Sequence, residues 1–206
     1  MSQWIILSYT IYTISMMIII SFYLKRKVGE NIIGRREIPK NLIWISIFGI
    51  IGTWIVILIP IIYIFYINIV DLTFRILIFQ NSLFEIIAVL LIIIGVTITT
   101  IAMIQLGYSA RIFIPNQNTN LITSGVYCFC RNPAYIGTYF SFFGIFLLLS
   151  SLLYLIGFCF FLVGMHIRIL HEEKFLIRRF GSNYENYKNK IGRYLPKIYK
   201  SKNKIR

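Results

Sequence analysis

The chain has 206 residues, of which 58% are apolar and only 14% charged, and its formal net charge is +14. An ordinary soluble domain carries roughly 45–50% apolar residues; here the charges crowd into Lys25–Lys40 and His166–Arg206, leaving long uncharged tracts that suit lipid rather than water. The basic excess does not point to nucleic acid, because no basic stripe is interleaved with stacking aromatics; basic residues beside apolar spans set topology and meet anionic headgroups.

Met1–Leu24 is apolar but lacks a basic leading region and a small-residue cleavage site, so it reads as a retained first span, from about Trp4 to Leu24, ending at Lys25-Arg26-Lys27. The loop Lys25–Lys40 carries six basic residues against Glu30 and Glu37. A second span covers about Leu42 to Ile67, with tilt or a kink expected at Pro60. A short segment with Asp71 and Arg75 leads to a third span, about Leu83 to Leu106. Gly107–Pro133 is the longest polar insert between apolar spans, and long inserts of this kind usually carry function.

Ala134–Leu170 is apolar almost throughout. As one helix it would be about 55 Å long, far beyond a ~30 Å hydrocarbon core, so two helices turning near Ser150-Ser151 are expected. Gly137, Ser141 and Gly144 share one face, and Gly157 and Gly164 repeat a seven-residue spacing. Small residues in such stripes let membrane helices approach closely, which predicts a tight hairpin. The tail from His166 begins as an amphipathic helix, breaks at Gly181-Ser182-Asn183, and continues as a short helix with Tyr184 and Tyr187 towards Pro196.

With five spans and the N-terminus outside, the first loop, the Gly107–Pro133 loop and the tail share one side and hold 6, 2 and 12 of the 21 Lys and Arg residues. Only Arg75 falls on the other side, as the positive-inside rule requires. The expected fold is therefore an all-α integral membrane protein with about five transmembrane helices, the last two a tight hairpin, and a basic loop and helical tail in the cytoplasm. Cys128, Cys130 and Cys159 read as ordinary small apolar residues, because a C-x-C pair without a second pair or a nearby His is a poor zinc site; no metal is expected.

Three polar features fall on the side of the tail. The first is Leu121-Ile122-Thr123-Ser124-Gly125-Val126-Tyr127, followed by Arg131-Asn132-Pro133-Ala134-Tyr135-Ile136-Gly137. The second is Arg168 with Glu172-Glu173, where Arg168 and Glu172 stand four apart on one helix face as the last span ends. The third is Phe180-Gly181-Ser182-Asn183-Tyr184-Glu185-Asn186-Tyr187, ending at Leu195-Pro196. Each alone has a plain structural explanation: an interfacial ion pair worth ~0–1 kcal/mol, a proline opening a helix, aromatic anchors at the membrane surface. In this order and spacing they resemble the isoprenylcysteine carboxyl methyltransferase and phospholipid N-methyltransferase superfamily, over roughly Leu106–Pro196. That superfamily chains L-V-T-S-G-x-Y, R-H-P-x-Y-x-G, two membrane helices, R-x-x-x-E-E-x-x-L, F-G-x-x-Y-x-x-Y and a terminal Pro. The segment from Gln105 to Ser109 also resembles its lead into the loop.

The resemblance implies a division into N-terminal spans, residues 1–82, and a methyltransferase core, residues 83–206. It implies S-adenosylmethionine in a pocket closed by the loop and the cytoplasmic tail, with cofactor contacts at Leu121, Ile122, Tyr127, Asn132, Pro133, Ala134, Tyr135, Gly137, Glu172 and Glu173. Arg168 matches a substrate contact, and Arg168 with Glu172 would form the catalytic pair. The implied partners are the bilayer and a lipidic or prenylated substrate, with no nucleic acid. One position departs from the pattern: Asn132 stands where the family has His, and an amide supplies a donor and an acceptor but does not titrate.

A carboxylate acceptor suits such a site, since a terminal carboxyl with pKa about 3.5 is ionised at neutral pH without a base. A phospholipid amine would first have to lose a proton, with His166 or His171 as the available bases. An NADPH-dependent sterol-type reductase shares an R-H-P-x-Y-x-G-like element but carries a different tail motif. A non-catalytic relative, marked by Asn132, completes the alternatives. The sequence leaves the oligomeric state open.

Overall fold

The computed structural model of the chain describes residues 2–28, 43–66, 81–106 and 121–197, with residues 68, 74 and 76. Most of the basic loop, the Asp71 and Arg75 positions, residues 107–120 and the last nine residues lie outside the described residues. The described residues form six α-helices and one short 3₁₀ turn. The helices are α1 (Ser2–Val28), α2 (Ile43–Phe65), α3 (Ser82–Leu106), α4 (Pro133–Leu149), α5 (Leu152–Phe180) and α6 (Ser182–Lys190). The all-helical expectation holds among them, apart from one isolated parallel bridge between Cys130 and Gly192.

Local chemistry explains the boundaries. Asn81 accepts the Phe84 amide proton and opens α3 (3.1 Å), and Pro133 starts α4 at its first turn, where its missing N–H costs nothing. The turn stands where the sequence puts it. Ser150 adopts a left-handed conformation, φ 51°, and closes α4 by donating its amide to the Phe146 carbonyl. Ser151 then caps α5 through a side-chain oxygen that accepts from Tyr154 N (3.2 Å). Phe74 and Ile76 hold this turn from outside, through Leu152 N to Phe74 O (3.0 Å) and Ile76 N to Ser150 O (2.7 Å). Helix α5 runs unbroken into the amphipathic tail and stops at Gly181, whose φ of 51° favours glycine.

The small-residue stripes do not hold α4 and α5 to one another. Gly137 faces Gly95 and Thr99 of α3, and Gly144 faces Ala88 and Ile92 on the same helix. Gly164 sits against Gly49 of α2, and Gly157 against Ile55. Thus α4 lies close along α3, and α5 close along α2. Between α4 and α5 the filling is aromatic: Phe142 meets Phe161 at 5.0 Å between ring centres, and Phe143 meets Phe158 at 6.4 Å. The turn is tight, but the expected close approach belongs to two other helix pairs. A spacing of small residues announces a close neighbour without saying which helix it is.

The core gathers where these pairs meet, around Ile6, Val56, Tyr63, Ala88, Ile145, Phe146, Tyr154 and Phe161. Tyr154 is fully enclosed and donates its hydroxyl to the Phe142 carbonyl (3.3 Å). The outer faces remain apolar, with Trp54, Ile86, Leu90, Ile93, Ile104 and Val163 exposed. Among the described residues three helices are long and apolar enough to cross a membrane: Ile47–Phe65, Ser82–Leu106 and Leu152–Phe180. Helix α4 is as apolar but has 17 residues.

Candidate functional site

The polar site lies where α5 leaves the apolar region and meets the loop before α4. Arg168 and Glu172, one turn apart on α5, form an ion pair, Nε to Oε1 at 3.0 Å. The Tyr135 hydroxyl, from the first turn of α4, donates to the same carboxylate, 2.9 Å from Oε1 and 3.0 Å from Oε2. The Arg168 and Glu172 side chains keep 23% and 32% exposure, so the cluster is reachable from outside the protein.

Glu173 serves a different set. Its carboxylate receives Arg193 by a two-point fork, Nε to Oε1 at 2.8 Å and Nη2 to Oε2 at 2.9 Å. Arg131 Nη1 reaches Oε1 at 3.0 Å, and both side chains of that pair are 6% exposed. Arg131 Nη1 also donates to the Tyr184 hydroxyl (3.4 Å), whereas its buried Nε has no acceptor among the described residues. The backbone continues the link: Arg131 N donates to Gly192 O (2.9 Å), and Asn132 Nδ2 to Arg193 O (3.2 Å). Residues 191–197 are thereby laid over the loop.

Tyrosines pin the loop to its surroundings. Tyr127 donates to the Ala102 carbonyl at the end of α3 (3.3 Å), and Tyr187 of α6 donates to the Tyr127 carbonyl (2.7 Å). Burial pushes both phenols well above their ordinary pKa, so they stay neutral donors. Gly125 (φ 63°) packs on the Gln105 side chain, whose Oε1 accepts Val126 N at 2.8 Å. Burial likewise raises the Cys130 thiol. Beside the cluster, one turn along α4 from Tyr135, an open groove of about 350 Å³ is lined by Tyr139, Leu162, Val163, His166, Ile167 and Tyr194. His166 Nδ1 and the Tyr194 hydroxyl lie 2.7 Å apart at its polar end.

Residues 83–183, from the start of α3 to just past Gly181, match the family described as phospholipid methyltransferase. The match takes in just under half of the chain. Three curated relatives are named protein-S-isoprenylcysteine O-methyltransferase. The protein of Saccharomyces cerevisiae is 37% identical over 122 residues, covering 57% of this chain and 51% of the relative. That of Xenopus laevis is 31% identical over 123 residues, covering 58% and 43%. That of Schizosaccharomyces pombe is 32% identical over 101 residues, covering 47% and 43%. The matched region is thus about half the length of each of these relatives.

Within the matched segment, the structure brings together Arg168, Glu172 and Tyr135, three of the residues singled out in the sequence. Asn132 and Glu173 join the second cluster, where their described partners belong to residues 131 and 193. Tyr127 and Pro133 are buried in the seating of the loop, and Gly137 in the contact with α3. Leu121, Ile122 and Ala134 are half-buried. Arg193 and Tyr194 were not singled out by sequence. They lie beyond the family match, and among so many cations nothing marks the one that meets Glu173.

Proposed function

We propose that the chain is an S-adenosylmethionine-dependent membrane methyltransferase that transfers a methyl group to a carboxylate on a lipidic or prenylated substrate. The observation that carries this reading is the Glu172 carboxylate held between Tyr135 and Arg168, inside the phospholipid methyltransferase match and at the end of an apolar helix. The names of the three curated relatives support a carboxyl acceptor.

The residues present fit a cofactor bearing amino, hydroxyl and carboxylate groups. Glu172 keeps 32% of its side chain exposed although two groups already hold it, so it has lone pairs to offer. The buried Arg131 Nε lacks an acceptor among the described residues. Glu172, with Tyr135, Asn132, Pro133 and Ala134 and with Leu121 and Ile122, would hold the cofactor, while Tyr127 and Gly137 shape the wall behind them. The cofactor supplies an electrophilic methyl group on a sulfonium. The protein supplies position, which contributes most in an in-line displacement. Arg168 brings a guanidinium suited to pairing with the acceptor carboxylate. That carboxylate arrives ionised, so no base is required. The groove beside Tyr139 offers apolar surface for the substrate's chain.

We further propose five spans, with the first loop, the site and residues 191–197 on the cytoplasmic side. A second reading, methylation of a phospholipid amine, follows from the family's description. It needs a base, and of His166 and His171 it is His166 that lines the groove, with its Nδ1 next to the Tyr194 hydroxyl.

The test is a titration of the detergent-purified chain with S-adenosylmethionine and, separately, NADPH, followed by methyl transfer to a prenylcysteine and to phosphatidylethanolamine. S-adenosylmethionine should bind, Glu172→Gln should weaken it, and the prenylcysteine should be methylated. Binding of NADPH alone moves the chain to the reductases. Binding of neither makes it a non-catalytic relative, and methylation of the amine alone selects the second reading.

A further inference from the structure

Neighbouring side chains on a helix point about 100° apart, and Glu172 and Glu173 use that angle to hold two ends of one segment. Glu172 takes the Tyr135 hydroxyl, and Glu173 takes Arg131, four residues earlier across Asn132 and Pro133. The second acid also takes Arg193 from beyond α6, and Arg193 returns through its own carbonyl to the Asn132 side chain. The circuit therefore runs from Glu173 to Arg131, along the backbone to Asn132, across to Arg193 and back. Glu173 is 5% exposed. A buried charge gains little net stability over a well-packed apolar group, because desolvation offsets the attraction. What a fork and an ion pair add is a fixed geometry.

We infer that Glu173 is a positioning residue, which through Arg131 and Arg193 fixes the Arg131–Tyr135 segment against residues 191–197 and so sets the cofactor side of the site without touching the reacting atoms. Its consequence for catalysis rests on the function proposed above, whereas the clasp itself does not. Asn132 belongs to the clasp: its amide donates to the tail backbone, which requires a donor and no titration.

Cys130 reports the clasp without any cofactor, since it is buried and bridged to Gly192. In a Cys128→Ser, Cys159→Ser chain, maleimide should label Cys130 slowly. In Glu173→Gln and Arg193→Gln the labelling should be about tenfold faster, through local opening of the tail. In methyl transfer, the same variants should raise KM for S-adenosylmethionine roughly tenfold while kcat at saturation and KM for the acceptor stay within about twofold. Arg193→Lys, which keeps the charge and loses the fork, should fall between. A purely stabilising Glu173 would lower the melting temperature and the active fraction but leave labelling and KM unchanged, and that result overturns the inference. If Glu173→Gln does not fold, Arg193, whose side chain is 29% exposed, carries the test alone. If the parent binds no S-adenosylmethionine, the proposed function fails, and Cys130 labelling by itself upholds or overturns the clasp.

Discussion

At the residue scale the cluster turns on one hydroxyl. Without Tyr135, Glu172 would keep Arg168 but lose the donor that fixes its carboxylate from the opposite helix. A hydrogen bond to a charged group contributes about 1.5–3 kcal/mol, and each 1.4 kcal/mol is about tenfold in an equilibrium. Tyr135→Phe is therefore expected to weaken S-adenosylmethionine binding by roughly ten- to a hundredfold if the whole of that bond serves to orient Glu172. Isothermal titration of the purified variant measures it, and wild-type affinity would remove the role. The Arg168–Glu172 pair was legible in the sequence because helix periodicity alone places residues four apart on one face. Tyr135 stands 37 positions from its acceptor and Arg193 stands 20 from Glu173. No periodicity spans those separations; motif order brought in Tyr135, and nothing brought in Arg193.

At the scale of elements, the closest approach is the crossing of α2 and α5 at Gly49 and Gly164. A Cβ on Gly49 would lie 2.6 Å from the Gly164 Cα, and backbone, unlike a flexible side chain, cannot turn aside. Gly52 presses in the same way on α5, where a Cβ would lie 2.6 Å from the Gly157 carbonyl oxygen. Gly164→Ala should force the helices apart at an overpacking cost of about 1–3 kcal/mol. It should lower the thermal inactivation midpoint in detergent by roughly 2–4 °C per kcal/mol. Ile156→Val, at an exposed position on the same helix, should barely shift it. An unchanged midpoint for Gly164→Ala would mean that the crossing is looser than these contacts describe. The helix boundaries were legible because Pro133, Ser150-Ser151 and Gly181 each carry a local reason to start or stop a helix. The pairing was not, because a stripe of small residues is equally suited to any neighbour.

At the scale of the molecule, the exposed apolar faces of α2, α3 and α5 leave a bilayer as the matching solvent, and charge decides which way the chain sits in it. Of the 21 Lys and Arg residues, 20 fall in the first loop, the loop before α4 and the tail, against Arg75 alone in the connection between α2 and α3. Each basic residue within about 15–20 positions of a span end favours the cytoplasmic side, so the site cluster, the clasp and α6 should face the cytoplasm and the 66–81 connection the outside. Single-cysteine chains decide it. With the three native cysteines replaced, Asn68→Cys should react with a membrane-impermeant maleimide on intact cells. Ser182→Cys, exposed just past the end of α5, should react only after lysis. The reverse pattern would put the site on the outer face, away from a cytoplasmic supply of S-adenosylmethionine, and would count against the methyltransferase reading as well as the topology. Labelling of both positions from outside would mean an even number of crossings between residues 68 and 182, so α3, α4 and α5 could not all be spans. The 17-residue α4 would then be the helix to suspect, since at about 1.5 Å per residue it reaches only some 25 Å against a hydrocarbon core of about 30 Å.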